Sequence, residues 1–500
     1  MSLRSLRWLV LLPLLAGLRP VPDRTAARYG MWYWHTPFRI EPDERKTLHG
    51  IGIRDLYVRA GTLTFNGSHA KTMLPQRWET VPDGFRVVLT LNFDPGLVSH
   101  LETIPVASLA DDVAQNLQDA RIRARANGID PKGFQLDVDC PTRLLPRYAT
   151  LLRRVRAKLD VPLSITALPT WLSSSQFEDL ADAVDEVVPQ FYEGQTGRTL
   201  ETVAPVADPI GLAKGLRQLA YLDHRFKVGL ATYGHALIYG PDGRLSSIYH
   251  GLSPEDALRH PSLRFREEKP LASGERLTTV QAIAADVNGR GKGATIAYVL
   301  PTAESLRRQL DVFERQRPGN CGGAILYRFP EKDEAMALPL RTVATTKARR
   351  TTAFHAEIKL SKRVLPWTAI APKSNARRLP TAMVVRAAAT GDESTAARPR
   401  AFMLLLRLDR PGVQSVGAGD FDEAVPGRLD AKGRFARCAP AHADVVLLSR
   451  NHFLPDQTLA SGIIETIPNG ATEAFTEWAA KTPGGETRGR SSNLLLSAPK

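Results

Sequence analysis

Between residues 29 and 340, short runs rich in β-branched and aromatic residues alternate with longer stretches whose apolar positions recur every three or four residues. The strand-like runs cover 29–34, 55–60, 86–92, 133–139, 161–168, 186–192, 227–233 and 323–329. Helical periodicity marks 106–126, 144–159, 174–183, 209–222 and 304–315. Strands that alternate with amphipathic helices imply parallel βαβ units. Eight of them over this length predict an α/β fold of the (β/α)₈ TIM-barrel type. A doubly wound open sheet is the alternative, but no Gly-rich phosphate turn follows the first strand.

Two stretches break the alternation. Residues 235–300 are too long for one loop and contain a further strand-like run at 294–300, which predicts an insertion after strand 7. Beyond about residue 341 the pattern stops. Residues 351–500 hold scattered β-runs, as at 402–408 and 444–448, between turns rich in Pro, Gly and Arg. They predict a smaller C-terminal β-rich domain, a sandwich by preference, with 374–400 partly disordered. A chain of 500 residues accommodates both units: a barrel over 25–345 and an accessory domain over 351–500.

Charge changes this picture little. The formal net charge is +14, but the excess is spread along the chain, and neither a basic stripe nor a nucleic-acid-binding module accompanies it. We expect no nucleic-acid partner, while a generally basic surface keeps weak attraction to anionic polymers open. The first residues add more. Arg4 and Arg7 precede the apolar run from Trp8 to Leu18, the anatomy of a secretory signal. The run is shorter than the about 20 residues that span a bilayer, and no later stretch qualifies as a transmembrane segment. The expectation is a signal peptide over 1–24 and export to the periplasm or the extracellular space. Three cysteines, Cys140, Cys321 and Cys438, show no CxxC or paired spacing, and at most one disulfide can form. His35, His235 and His250 lack the spacing that puts ligands on one face. No metal and no cofactor are expected.

In a barrel of this type the site is built at the C-terminal strand ends. On the fourth strand, period-two alternation puts Gln135, Asp137 and Asp139 on one face and Phe134, Leu136 and Val138 on the other. The apolar set faces the helices, so the polar set points into the barrel. Two acids there raise each other's proton affinity, which leaves one protonated and able to act as a general acid. The plainer alternative is that Asp139 caps the next helix, because Pro141 and Thr142 follow. Other strand ends bring Gln190, Tyr192 and Glu193 (sixth), Thr166 and Trp171 (fifth), Asn92 and Asp94 (third), Tyr233 and His235 (seventh), and Trp32, Trp34 and His35 (first). Aromatic faces stack on sugar rings, and amides and carboxylates bind hydroxyls.

Taken in order, these strand ends resemble glycoside hydrolase family 18, the chitinase-like barrels. They are also similar to an uncharacterised bacterial family with glycosidase-like barrels, whose fourth strand reads much like residues 133–140. The alternation Gln135, Asp137, Asp139 matches the chitinase-like D-x-D-x-E pattern. Residues 86–91, 163–169 and 188–192 resemble that family's third, fifth and sixth strands, and the likeness covers roughly 29–340. It implies that Asp139 is the general acid and that Asp137 orients a substrate N-acetyl group whose carbonyl oxygen is the nucleophile. Tyr192 would then hydrogen-bond that group, with Gln190 holding the sugar. Such substrate-assisted cleavage departs from the two-carboxylate scheme. This chain differs from the pattern in three places. Asp139 stands for Glu, Gln135 for the outer acid, and Tyr327 for the eighth-strand Trp.

The reading that follows is a glycoside hydrolase acting on an envelope or extracellular glycan. Its catalytic residues are Asp139, Asp137 and Tyr192, and its sugar-binding residues are Gln135, Gln190, Glu193, Trp34, Trp171, Tyr233 and Tyr327. The alternatives are a non-catalytic glycan-binding barrel and a structural envelope protein whose basic surface binds anionic polymer.

Overall fold

The computed structural model describes residues 26–194, 197–284, 291–363, 381–467 and 471–496. The expected signal segment, 1–24, lies outside the described residues, as does 374–380 of the stretch expected to be disordered. Eight strands build the barrel: β1 (Arg28–Tyr33), β2 (Ile53–Phe65), β3 (Arg86–Phe93), β4 (Gly133–Asp137), β5 (Leu163–Ala167), β6 (Glu186–Pro189), β7 (Phe226–Ala231) and β8 (Cys321–Tyr327). Each pairs in parallel with the next, and β1 pairs with both β2 and β8, which closes the ring. β2 overshoots the rim and folds back as a hairpin with Ala70–Met73.

Helices between the strands bury one apolar stripe against the outside of the ring. In Val106–Arg125 the stripe is Leu109, Val113 and Leu117, and in Ala303–Gln316 it is Leu306, Leu310 and Phe313, the spacing that a 3.6-residue repeat requires. Asp208 caps Pro209–Leu219 by accepting from Gly211 N at 2.8 Å. Thr302 caps Ala303–Gln316 by accepting from Ser305 N at 3.1 Å. Each cap satisfies one of the free amides of a first turn.

Inward positions stack in layers. At the N-terminal end, Asp55 accepts both arms of Arg86, at 3.0 and 2.9 Å. Lys227 Nζ reaches Tyr57 Oη at 2.8 Å, Glu186 Oε1 at 3.1 Å and Asp55 Oδ2 at 3.5 Å. Burial works to raise the Asp55 carboxyl, but the Arg86 hydrogen bond and the charges of Lys227, Arg86 and Arg28 hold it below its ordinary range. An apolar middle layer of Trp32, Tyr57, Val88, Val188 and Ile325 lies above this charged floor. Gly229 on β7 makes room for it: a Cβ there would stand 3.0 Å from Tyr192 Cε1 and 3.2 Å from Trp32 Cη2.

The insertion after β7 is larger in structure than the single strand-like run at 294–300. It is a five-stranded antiparallel sheet of His235–Tyr239, Leu245–Ile248, Leu263–Pro270, Arg276–Ala282 and Thr295–Leu300. Beyond the helix Leu340–Lys347, two antiparallel sheets enclose a second core that contains Phe354, Met383, Phe402, Leu404, Leu448 and Trp478. Within the stretch 374–400, Ala382–Ala389 is a strand that pairs along its length with Ala356–Arg363. The two units meet through the helix Leu340–Lys347, where Thr342 Oγ1 donates to Asp392 O at 2.6 Å, and through the insertion. Thr278 Oγ1 donates to Ala397 O at 3.0 Å, and Glu268, its side chain 1% exposed, pairs with Arg276 and Arg398. Asp422 is shared between Arg259 of the insertion and Arg450. Cys140, Cys321 and Cys438 are free thiols, and no described helix is long and apolar enough to cross a membrane.

Candidate active site

The mouth of the barrel lies above the apolar layer, where the inward positions become polar again. β4 ends at Asp137. Its carboxylate accepts from Thr166 Oγ1 of β5 at 2.6 Å and from Gln190 Nε2, just past β6, at 3.4 Å. Burial, joined by repulsion from Asp139, pushes the Asp137 carboxyl up to about 6 against these two donors.

Asp139 lies two residues beyond the end of β4, where the chain turns and Cys140 N donates to Val138 O at 2.8 Å. It caps nothing: the helical turns that follow start after Pro141 and Leu144. The carboxylate is exposed at the rim and has no hydrogen-bond partner among the described residues. Loss of part of its water shell, then repulsion from Glu193, raises its proton affinity.

Across the mouth stands a cluster of rings. Tyr327, at the end of β8, stacks on Tyr192 with centroids 5.4 Å apart. It meets Tyr233 edge-on at 4.9 Å, Trp34 at 5.6 Å and Trp32 at 5.8 Å. Trp34 and Tyr327 are half-buried and keep part of their surface open. Tyr192 Oη is buried with no partner among the described residues. Burial, then the nearby Tyr327 and Asp137, keeps that phenol protonated, which leaves an unspent donor beside the mouth. Glu193 has a left-handed backbone, φ 54°, and its side chain lies 3.5 Å from His235 Nδ1. Burial pushes the Glu193 carboxyl up, but hydrogen bonds from His235 and Tyr233 outweigh it and hold the group ionised.

Asp137, Asp139, Gln190, Tyr192, Glu193, Trp34, Tyr233 and Tyr327 therefore ring one opening. Two expected residues do not join them. Gln135 is wholly buried below the mouth, where its Oε1 accepts from Trp32 Nε1 at 2.7 Å and Thr90 Oγ1 at 3.3 Å while its Nε2 donates to Ser164 Oγ at 3.3 Å. Its amide is consumed in tying four strands together and has nothing to offer a sugar. Trp171 is wholly buried in the helix layer, edge-on to Tyr148, and its Nε1 donates to Cys140 O at 3.1 Å. The ring has no free face, and it supports the loop after β4 from behind. Asp94 accepts from Leu97 N at 2.6 Å as a helix cap.

Arg59 escaped the sequence reading. It follows Asp55 and Tyr57 on the inward face of β2, an alternation visible in the sequence once the strand is placed. Its Nη2 donates to Thr62 Oγ1 at 2.8 Å and its Nε to Asn92 Oδ1 at 3.4 Å. Among the described residues, no three His, Cys, Asp or Glu side chains gather as a metal site would need.

Residues 88–250 match the model of a domain of unknown function, DUF3142. No curated protein matches the chain. Among solved structures it is similar to the spore cortex-lytic enzyme SleL of Bacillus cereus, at 14% identity and a TM-score of 0.43, with 66% of this chain and 75% of that one covered. The Bacillus megaterium SleL matches at 13% identity and 0.41, over 65% and 75%. The family 18 chitinase ChiB of Flavobacterium johnsoniae matches at 7% identity and 0.34, over 65% and 94%.

Proposed function

We propose that this barrel is an exported glycoside hydrolase that cuts an envelope or extracellular glycan, with Asp139 as general acid and Asp137 as the orienting acid. The observation that carries the reading is Asp139 itself. It is a carboxyl at the mouth that caps no helix, pairs with no cation among the described residues and has a raised proton affinity, two residues from an acid held at about 6. A carboxylate left over by the fold in this position has chemistry as its remaining use.

Burial raises both carboxyls and Asp139 adds repulsion at Asp137, which favours a protonated acid at the mouth when a bound sugar excludes water. Asp139 passes its proton to the glycosidic oxygen as the bond from that oxygen to the anomeric carbon breaks. The sugar's N-acetyl carbonyl oxygen bonds to the same carbon, with Asp137 accepting from the N-acetyl N–H and Tyr192 Oη donating to the reacting group. Water then opens the cyclic intermediate and returns the proton. Trp34 and Tyr327 supply ring faces with Tyr233 backing Tyr327 edge-on, and Gln190 and Glu193 supply hydroxyl partners.

Asp139→Asn keeps shape and removes the transferable proton. On a β-linked N-acetylglucosamine oligomer, we expect its turnover to fall by at least about 100-fold while the Kd for the oligomer is unchanged. Wild-type protein that binds the oligomer with no turnover would favour the non-catalytic glycan-binding reading. Equal hydrolysis by both proteins removes Asp139 from the mechanism.

A further inference from the structure

The mouth contains a cation that the proposed hydrolysis does not use. Arg59 is half-buried at the top of β2, and its side chain points inward by the same alternation that sends Asp55 and Tyr57 into the barrel. The other arginines lining the barrel have carboxylates: Arg28 and Arg86 share Asp55, and Arg328 pairs with Glu334. Arg59 has only the neutral oxygens of Thr62 and Asn92, and those two are already hydrogen-bonded to each other at 2.9 Å. The remaining donors of its five-donor fork have no partner among the described residues. A guanidinium drawn partly out of water without a counter-charge is a cost to the fold.

The backbone holds it in place nonetheless. The pairing of β2 with β3 shifts register between Arg59 and Gly61, the kind of bulge that re-aims a side chain beside a site. Buried Gln76 donates its Nε2 to Arg59 O at 3.0 Å, and its own amide bonds Ala60 O at 3.0 Å. Thr62 and Asn92 take the Nη2 and Nε edges, which fixes the plane of the fork. Asn92, which takes the Nε edge of Arg59, stands opposite Asp137 in the pairing of β3 with β4, so Arg59 belongs to the same opening as the acids.

We propose that Arg59 reads a carboxylate on the substrate, so that the glycan served by this mouth is built from acidic N-acetylated sugars and not from neutral ones. The inference rests on the glycan reading above and adds the charge of the sugar. A planar fork with free parallel N–H groups matches a carboxylate, and an arginine fixed in advance loses little entropy on binding it. Asp139 and Glu193 repel an anion on their side of the mouth, which leaves Arg59 to set the orientation in which an acidic sugar enters.

Binding is measured by calorimetry with Asp139→Asn protein, which stops turnover, against three tetrasaccharides. One is all N-acetylglucosamine. The second alternates N-acetylglucosamine with N-acetylmuramic acid, and the third is the second with its carboxyls reduced to alcohols. The acidic ligand should bind roughly tenfold or more tightly than the other two, the value of a charge-assisted hydrogen bond, and the preference should shrink with added salt. Arg59→Gln should make all three equal and leave the neutral affinities unchanged. Asn92→Asp leaves the arginine in place and supplies an internal counter-charge, so it should abolish the preference even if Arg59→Gln disturbs the fold. No preference with Arg59 and Asn92 both intact, or a preference that survives both variants, overturns the role of Arg59 while the glycan reading stands. If none of the three ligands binds the starting protein, the glycan reading itself falls, and the Arg59 inference falls with it.

Discussion

Asp137 and Asp139 are two positions apart and live in different surroundings. Asp137 is the last residue of β4, enclosed by Thr166 and Gln190, and its carboxyl is pushed up to about 6 by burial and by Asp139. A carboxyl whose native proton affinity exceeds its unfolded value supports the fold below the unfolded pKa, about 4. That support is lost as pH rises through about 6. Asp137→Asn has no proton to lose, so at pH 7.5 it should be more stable than wild type by on the order of 1–3 kcal/mol, and the gain should vanish near pH 4. Chemical denaturation at the two pH values measures this, and equal stability at pH 7.5 would mean that the native pKa is not raised. The period-two pattern made both acids and Tyr192 legible as residues of one opening. It could not separate Gln135 from them, because alternation reports which way a side chain points and not how deep it lies. Trp171 departs from expectation for a related reason: a ring just past a strand end can turn outward under the helices as easily as toward the mouth. Arg59 was passed over because an arginine in a strand reads as a solvent-facing residue until Asp55 and Tyr57 fix its face.

The eight strands and the main helices were legible because each satisfies a simple period. The sheet inserted after β7 was not, because its strand Leu263–Pro270 carries five charged residues in eight and shows no apolar alternation. The turn that follows this strand acts on the site. Glu275, wholly buried there, accepts from Ala207 N at 3.1 Å and from Ser273 Oγ at 2.7 Å, and burial pushes its carboxyl up to about 7. Ala207 bridges Tyr192, and Val206 O accepts from Glu193 N at 2.9 Å. The insertion thus braces the segment that carries Tyr192 and Glu193. Glu275→Ala removes that acceptor, and exchange of the Ala207 amide should quicken by roughly tenfold, the value of one hydrogen bond. The Val88 amide, at the far side of the ring, should keep its rate. Unchanged exchange at Ala207 would show that the brace contributes nothing.

At the scale of the molecule, the C-terminal sandwich grips the insertion and the last barrel helix, Leu340–Lys347, where Thr342 Oγ1 donates to Asp392 O at 2.6 Å and Arg341 pairs with Asp456. Ala397 sits in the insertion's own apolar cluster, and Glu268 and Asp422 each bind an arginine from both sides of the junction. No local pattern could reveal these partners, which lie more than a hundred residues apart. A chain of residues 26–350 contains the closed ring and its main core, and we expect it to unfold in one cooperative transition. Its Tm should fall by roughly 5 °C or more, because Glu268 loses Arg398 and the insertion loses Ala397. Calorimetry decides, and an unchanged Tm would mean that the junction carries no stability. The charged floor of the barrel has a different consequence. Lys227, Asp55, Glu186 and Arg86 neutralise one another at one end, and a layer of Trp32, Tyr57, Val88, Val188 and Ile325 stands between them and the acids at the other. Because the foundation balances its own charge, the rim residues can be exchanged for others, by evolution or by an engineer, without rewriting the part that keeps the ring closed.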